Sequence, residues 1–207
     1  MYIAGFVDNS DDLFDDYAKR LSRRDITLLA PNEGMSKEEI LEWILINRIQ
    51  CLMVDYKLRP NYEFVGTALV AYINSALPDL PCMILTAYPQ ESLNENLVIE
   101  NMIEDRSVLD SRNFEDFTDK IKQAVHVFNK RLSRHEEEYN SILSSNDKHD
   151  LTANEEERKL ELYKILRAYE LVDDIPAELL RSEVGRKVDS VLDKLTQLLA
   201  ENSPESE

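Results

Sequence analysis

Three short apolar runs, each ending on an oxygen-bearing side chain, constrain this chain most. Phe6-Val7 runs into Asp8-Asn9, Cys51-Leu52-Met53-Val54 into Asp55, and Met83-Ile84-Leu85 into Thr86-Ala87. The second and third runs are almost uninterrupted apolar stretches, the pattern of strands covered on both faces. Amphipathic helical segments separate them, and strand–helix alternation specifies a parallel sheet with helices on both sides. In such a sheet, ligands gather beyond the carboxyl ends of the strands. The three run ends therefore converge.

The reading along the chain is α/β for residues 1–130: a five-stranded, doubly wound parallel sheet. Strand 1 covers Tyr2–Asp8, and a helix starts near Ser10 with Leu13, Phe14, Tyr17 and Leu21 at helical spacing. Strand 2 is Ile26–Ala30, stopped by Pro31. Ser36 with Glu39 forms a capping box for a second helix carrying Ile40, Leu41, Trp43, Ile44 and Ile49. Strand 3 is Gln50–Asp55, a third helix spans about Glu63–Ala76, and strand 4 is Cys82–Thr86. A fourth helix is expected over Glu91–Ile103 and a short fifth strand over Ser107–Asp110. Cys51 and Cys82 are expected as buried, reduced thiols.

From about Asn113 the character changes. Ile121, Val125, Phe128, Leu132, His135, Tyr139 and Ile142 repeat at alternating four- and three-residue spacing, a heptad seam. Thr152 with Glu155 is a second capping box, and Pro176 opens a last helical pattern in which Val184, Val188, Val191 and Leu195 repeat the seam. Residues 131–201 are thus expected as an all-helical extension, an intramolecular bundle or a homodimerising hairpin, and residues 202–207 as a disordered tail.

Net charge is −17, with 13 basic against 22 acidic residues over 1–130 and 11 against 19 over 131–207. Neither part offers the basic face that phosphate backbones require, so no nucleic-acid partner is expected. No apolar run approaches the roughly 20 residues of a membrane span, and no signal peptide is apparent. A cytoplasmic protein without a membrane partner is the expectation. The 4 glycines form no phosphate-cradling loop, and the three histidines have no zinc spacing.

Phosphoryl transfer to a carboxylate needs an in-line acceptor, a hard cation and donors for the remaining charge. Asp55 is placed to be the acceptor, and Asp8, Asn9 and Asp55 to hold magnesium, which accepts one or two carboxylates and keeps several waters. Thr86 is placed to bond a phosphoryl oxygen.

These residues, their order, and the passage Gly66 … Leu69 … Pro78-Asp79-Leu80-Pro81-Cys82-Met83-Ile84-Leu85-Thr86-Ala87 resemble the receiver (CheY-like) domain of bacterial response regulators. The resemblance covers about residues 1–130 and implies Asp55 as phosphoacceptor, Thr86 and Ala87 as switch residues, Mg2+ as cofactor, and a kinase or effector protein as partner. The chain departs from the family in four places. Asn9 replaces a second acid and weakens the hold on magnesium. Asp110 falls where the family has lysine, and a carboxylate repels the phosphoryl oxygen that an ammonium grips. Ser107 falls at the aromatic switch position, and the loop Tyr56-Lys57-Leu58-Arg59-Pro60 is one residue longer. The expectation is a non-catalytic signalling adaptor with a degenerate receiver domain, acting through its helical extension. The alternative is a response regulator switched by Mg-dependent phosphorylation of Asp55. An enzyme would need a second catalytic acid or base near Asp55, and the sequence offers no good candidate.

Overall fold

The computed structural model describes residues 1–9, 13–146, 151–174 and 194. The chain divides into two units, Met1–Ser133 and Arg134–Glu207. In the first, β1 (Tyr2–Val7), β2 (Ile26–Leu29), β3 (Cys51–Val54), β4 (Cys82–Thr86) and β5 (Ile103–Asp105) alternate with α1 (Phe14–Ser22), α2 (Lys37–Ile46), α3 (Gly66–Ala76) and α4 (Pro89–Asn94). α5 (Phe114–Asn146) begins in this unit and supplies residues to the next.

The strands form one parallel sheet in the order β2-β1-β3-β4-β5. The order reverses direction beside β1, so the crevice beyond β1 and β3 is the switch point where such sheets place their chemistry. Register fixes what meets there. Val7 lies opposite Val54, so Asp8 and Asp55 leave neighbouring strands at the same level, and the Asp55 amide donates to the Val7 carbonyl at 2.8 Å.

Side chains alternate across the sheet. Ala4 and Phe6 of β1, Cys51 and Met53 of β3, and Met83 and Leu85 of β4 face one layer. There they pack with Tyr17 and Leu21 of α1 and Phe117, Ile121 and Val125 of α5. The opposite layer holds Val7, Leu52, Val54 and Ile84 against Ile40 and Ile44 of α2 and Leu69 and Ile73 of α3, all buried. Gly5 belongs to this second layer, and a Cβ there would come within 2.8 Å of the Trp43 ring, so glycine lets α2 lie close on the sheet. Both cysteines are free and buried, and burial pushes the Cys51 thiol up to about 12.

α2 starts on the anticipated capping box: Ser36 Oγ accepts from the Glu39 amide at 3.2 Å, and the Glu39 carboxylate accepts from the Ser36 amide at 2.7 Å. Two elements depart from the sequence reading. The fourth helix ends at Asn94 instead of running to Ile103, and the fifth strand is Ile103–Asp105, not Ser107–Asp110. Residues Arg106–Asp110 form a 3₁₀ turn. Val108 and Leu109 look like strand residues in sequence, yet Leu109 plugs the core from that turn. α1 begins at Phe14, after residues 10–12, which lie outside the described residues.

The first half of the heptad seam has a different role from the one expected. Ile121 and Val125 are fully buried in the α/β core, in one cluster with the sheet and with Tyr17 and Leu21 of α1. Phe128 is also buried, while Leu132 is half-buried. Two arginines near the end of α1 are tied down. Arg20 pairs with Asp110, donates to the Leu109 carbonyl at 2.5 Å and stacks over Phe114, and Arg24 pairs with Glu115.

The second unit contains the end of α5 and α6 (Ala153–Ala168), which opens on the anticipated Thr152/Glu155 capping box. Arg158 of α6 grips Glu138 of α5 through two 2.8 Å hydrogen bonds, Nε to Oε1 and Nη2 to Oε2. Tyr139, Leu162, Tyr163 and Leu166 are buried, and Ile142 is half-buried. Lys159 is buried too, and loss of water holds its ammonium below the usual lysine range. The expected last helix from Pro176, with Val184, Val188, Val191 and Leu195, and the tail from residue 202 lie outside the described residues. No helix among the described residues is long and apolar enough to cross a membrane.

Candidate functional site

Two carboxylates and one guanidinium make the site. β1 delivers Asp8 and β3 delivers Asp55, and the side chains are only 9% and 8% exposed. Two buried like charges side by side are stabilised by a cation between them. It comes from Arg106, the first residue after β5. Its Nη2 lies 3.1 Å from Asp8 Oδ2 and 3.0 Å from Asp55 Oδ1. The guanidinium also sits over the Phe6 ring, with Cζ 5.8 Å from the centroid, an arrangement the ring quadrupole favours.

Arg106, and not Asp110, is the residue after β5 that reaches the two acids. Thr86 of β4 lies opposite Asp105 of β5, so Arg106 leaves the sheet at the level of the acids. The Asp105 carboxylate then accepts from the Ser107 amide at 2.8 Å and turns the chain into the 3₁₀ helix. Asp110 is four residues further on and engages Arg20. The sequence offers Arg106 and Arg112 as cations able to swing toward the acids, without choosing between them, because the partners are distant in the chain; the structure brings Arg106 there. The available signal is a basic residue directly after the short run Ile103-Glu104-Asp105.

Burial raises the Asp8 carboxyl above the usual aspartate range. Arg106 opposes that shift, the charge on Asp55 adds to it, and the hydrogen bond from the Asn9 amide opposes it. That bond, Asn9 amide to Asp8 Oδ1, is 2.7 Å long. The Asn9 side chain itself serves the loop after β3: its Nδ2 donates to the Arg59 carbonyl at 3.2 Å, and Asn61 Nδ2 donates to the Asn9 carbonyl at 2.9 Å.

That loop is clamped on both sides. The Gly66 amide donates to the Tyr56 carbonyl at 2.9 Å, and a Cβ on Gly66 would sit 2.0 Å from the Asp55 carbonyl oxygen. Only glycine lets the start of α3 approach the Asp55 backbone this closely. Toward α4, the Tyr56 hydroxyl donates to Glu95 at 3.0 Å, and Lys57 pairs with Glu91 at 2.9 Å while lying over the Tyr88 ring. Thr86 is fully buried at the end of β4, and its hydroxyl accepts from the Tyr88 amide at 3.2 Å. Ala87 beside it is exposed. The sheet therefore brings Asp8, Asp55 and Thr86 to the carboxyl ends of three adjacent strands and adds Arg106.

Magnesium is the group that a receiver-type pocket implies. It requires oxygens at about 2.0–2.1 Å in near-octahedral order. Asp8 Oδ2 and Asp55 Oδ1 already face one guanidinium nitrogen at about the same 3 Å distance, and Asn9 turns its amide to Arg59. A divalent ion bridging those oxygens would meet a like charge at contact distance. With Arg106 in this position the residues do not fit the metal. Among the described residues, no group of three or more His, Cys, Asp and Glu side chains has the arrangement of a metal site.

No protein-family model matches the chain, and no curated protein matches its sequence. Solved structures do match. The signal receiver domain of an HD domain-containing protein from Pseudomonas fluorescens Pf-5 superposes with a TM-score of 0.51 at 14% identity, over 64% of this chain and 93% of that one. A CheY-like response regulator receiver domain protein from Methanospirillum hungatei JF-1 gives 0.49 at 18% identity, over 63% and 98%. Five parallel strands in this order, flanked by helices and followed by a helical region, are the fold of the response-regulator receiver domains.

Proposed function

We propose that this chain is a signalling protein of the two-component type that acts as an adaptor: a degenerate receiver domain joined to a helical protein-contact module. The observation that carries this reading is the Asp8–Arg106–Asp55 bridge. The oxygens that a phosphorylatable site needs for its cation are engaged by an internal charge. Asn9 braces a loop, and the Thr86 hydroxyl caps its own turn. The charge of −17 leaves protein contacts as the output in preference to nucleic acid. A partner kinase or effector, or a second copy of the chain, is the binding class. Exposed Leu97, Ile99 and Val127 are consistent with a surface that meets protein.

A second reading keeps Asp55 as a phosphoacceptor dependent on Mg2+. It draws on the convergence of Asp8, Asp55 and Thr86 at one end of the sheet. The two are separated by intact mass after incubation with magnesium and a small phosphodonor, beside Asp55→Asn. The adaptor reading expects no adduct on either protein. One phosphoryl group on the wild type alone would replace it with the switched response regulator.

A further inference from the structure

We infer that Arg106 is the resident cation of the acid pocket, so that the native chain holds its two carboxylates together without a metal, and removing the guanidinium uncovers a latent divalent-cation site. The inference deepens the adaptor reading and rests on it. One nitrogen, Arg106 Nη2, is within 3.1 Å of a carboxylate oxygen from each of two neighbouring strands. It meets both charges without satisfying hydrogen-bond geometry, and Nε is equally buried without a hydrogen-bond partner. A guanidinium that recognises carboxylates usually does so as a bidentate fork with two parallel hydrogen bonds. Here it sits between two acids as a point charge, the role of an ion.

Three features favour the side chain over a free cation. Arg106 is tethered at the end of β5, so it reaches the pocket without translational loss, and the Asp105-capped turn holds its backbone there. Its guanidinium is weakly hydrated and lies on the Phe6 ring, whereas magnesium sheds water reluctantly. The two carboxylates are nearly closed to solvent and Arg106 is 22% exposed, so an ion must displace the side chain before it can bind. Of the two cations in the site loop, Lys57 is held over Tyr88 and against Glu91, and Arg59 is exposed.

The test titrates magnesium chloride into the full chain by calorimetry, with melting temperature followed in parallel, for wild type, Arg106→Ala, Arg106→Gln and Arg106→Ala/Asp8→Asn. Wild type should show no saturable binding up to about 10 mM and no magnesium-dependent melting shift. Arg106→Ala should bind at least about tenfold tighter and gain several degrees in magnesium, because a ligand that binds only the folded state stabilises it. The double variant should lose that gain. Arg106→Gln, neutral and shorter but polar, should behave as Arg106→Ala and decides the matter if the alanine variant does not fold. Saturable binding to wild type as tight as to the variants overturns the inference, as does a folded variant that gains none. Metal binding by wild type without a phosphoryl adduct removes the resident cation and leaves the adaptor. An adduct on wild-type Asp55 removes the adaptor reading itself.

Discussion

Replacing Gly66 by alanine sets two physical effects against each other. On conformational grounds the change should help: alanine restricts the unfolded chain and suits a helix start, worth about 0.4–1 kcal/mol of added stability. The structure predicts the opposite sign. A Cβ at this position would lie 2.0 Å from the Asp55 carbonyl oxygen, 2.8 Å from its carbon and 3.0 Å from Val54 Cγ1. The nearest obstacle is backbone, and that backbone is hydrogen-bonded on both sides, through the Asp55 amide to Val7 and through Tyr56 to Gly66 itself. Relief needs a separation of roughly 1 Å between α3 and the end of β3, and overpacking of this kind costs about 1–3 kcal/mol. With the helix gain subtracted, the net loss is about 1–2 kcal/mol. Trp43 is the chain's single tryptophan and packs against Gly5, so its fluorescence reports this unit alone. With a urea dependence of about 2 kcal/mol per molar, the midpoint should fall by roughly 0.5–1 M. An unchanged or higher midpoint would show that the close approach of α3 to Asp55 is not what glycine provides here.

Four further outcomes follow from the same geometry. Arg106→Ala leaves Asp8 and Asp55 facing each other unpaired, and the Trp43-monitored stability should drop by about 2–4 kcal/mol in metal-free buffer; no loss would mean the bridge contributes nothing. Asp8 is harder to ionise in the folded protein, so its contribution is fully present below the ordinary aspartate value and is lost as pH rises through the raised one. The stability of wild type relative to Asp8→Asn should therefore fall as pH rises across the acidic range, and a rising difference would reverse the assigned cause. Ile121→Ala, at a fully buried site of the α/β core, should cost about 2–5 kcal/mol in Trp43-monitored unfolding while sedimentation mass stays unchanged; a lower mass would return Ile121 to an interface between copies. Arg158→Ala removes a partly exposed pair to Glu138 and should cost about 0.5 kcal/mol, less at high salt; a loss of several kcal/mol would give that pair a larger role.

What could be read in advance were features with local causes. The apolar runs ending in Asp8, Asp55 and Thr86 are strands because fully covered parallel strands need continuous apolar sequence. The capping boxes at Ser36/Glu39 and Thr152/Glu155 start helices where their side chains satisfy exposed amides. Strand 5 was less legible. It is three residues long, only half-buried, and contains Glu104 and Asp105, whereas the apolar pair Val108-Leu109 next to it belongs to a 3₁₀ turn. The fourth helix has no side-chain cap at Tyr88 to mark its start, and its end at Asn94 was not legible either.

The heptad seam was legible as a pattern but not in its partner. A stripe of Ile121, Val125 and Phe128 suits a sheet as well as another helix, since both bury an apolar face, and only the packed structure assigns its first part to the α/β core. The site divides in the same way. By itself the sequence determined that Asp8, Asp55 and Thr86 end parallel strands, because a covered strand is written in short-range hydrophobic pattern; that those strands are neighbours is set by the sheet order. Tertiary structure alone decided that Arg106 completes the pocket. A single charged residue carries no periodic signal, and which buried acids it neutralises depends on the register of β4 with β5 and of β1 with β3, set by contacts across the whole sheet.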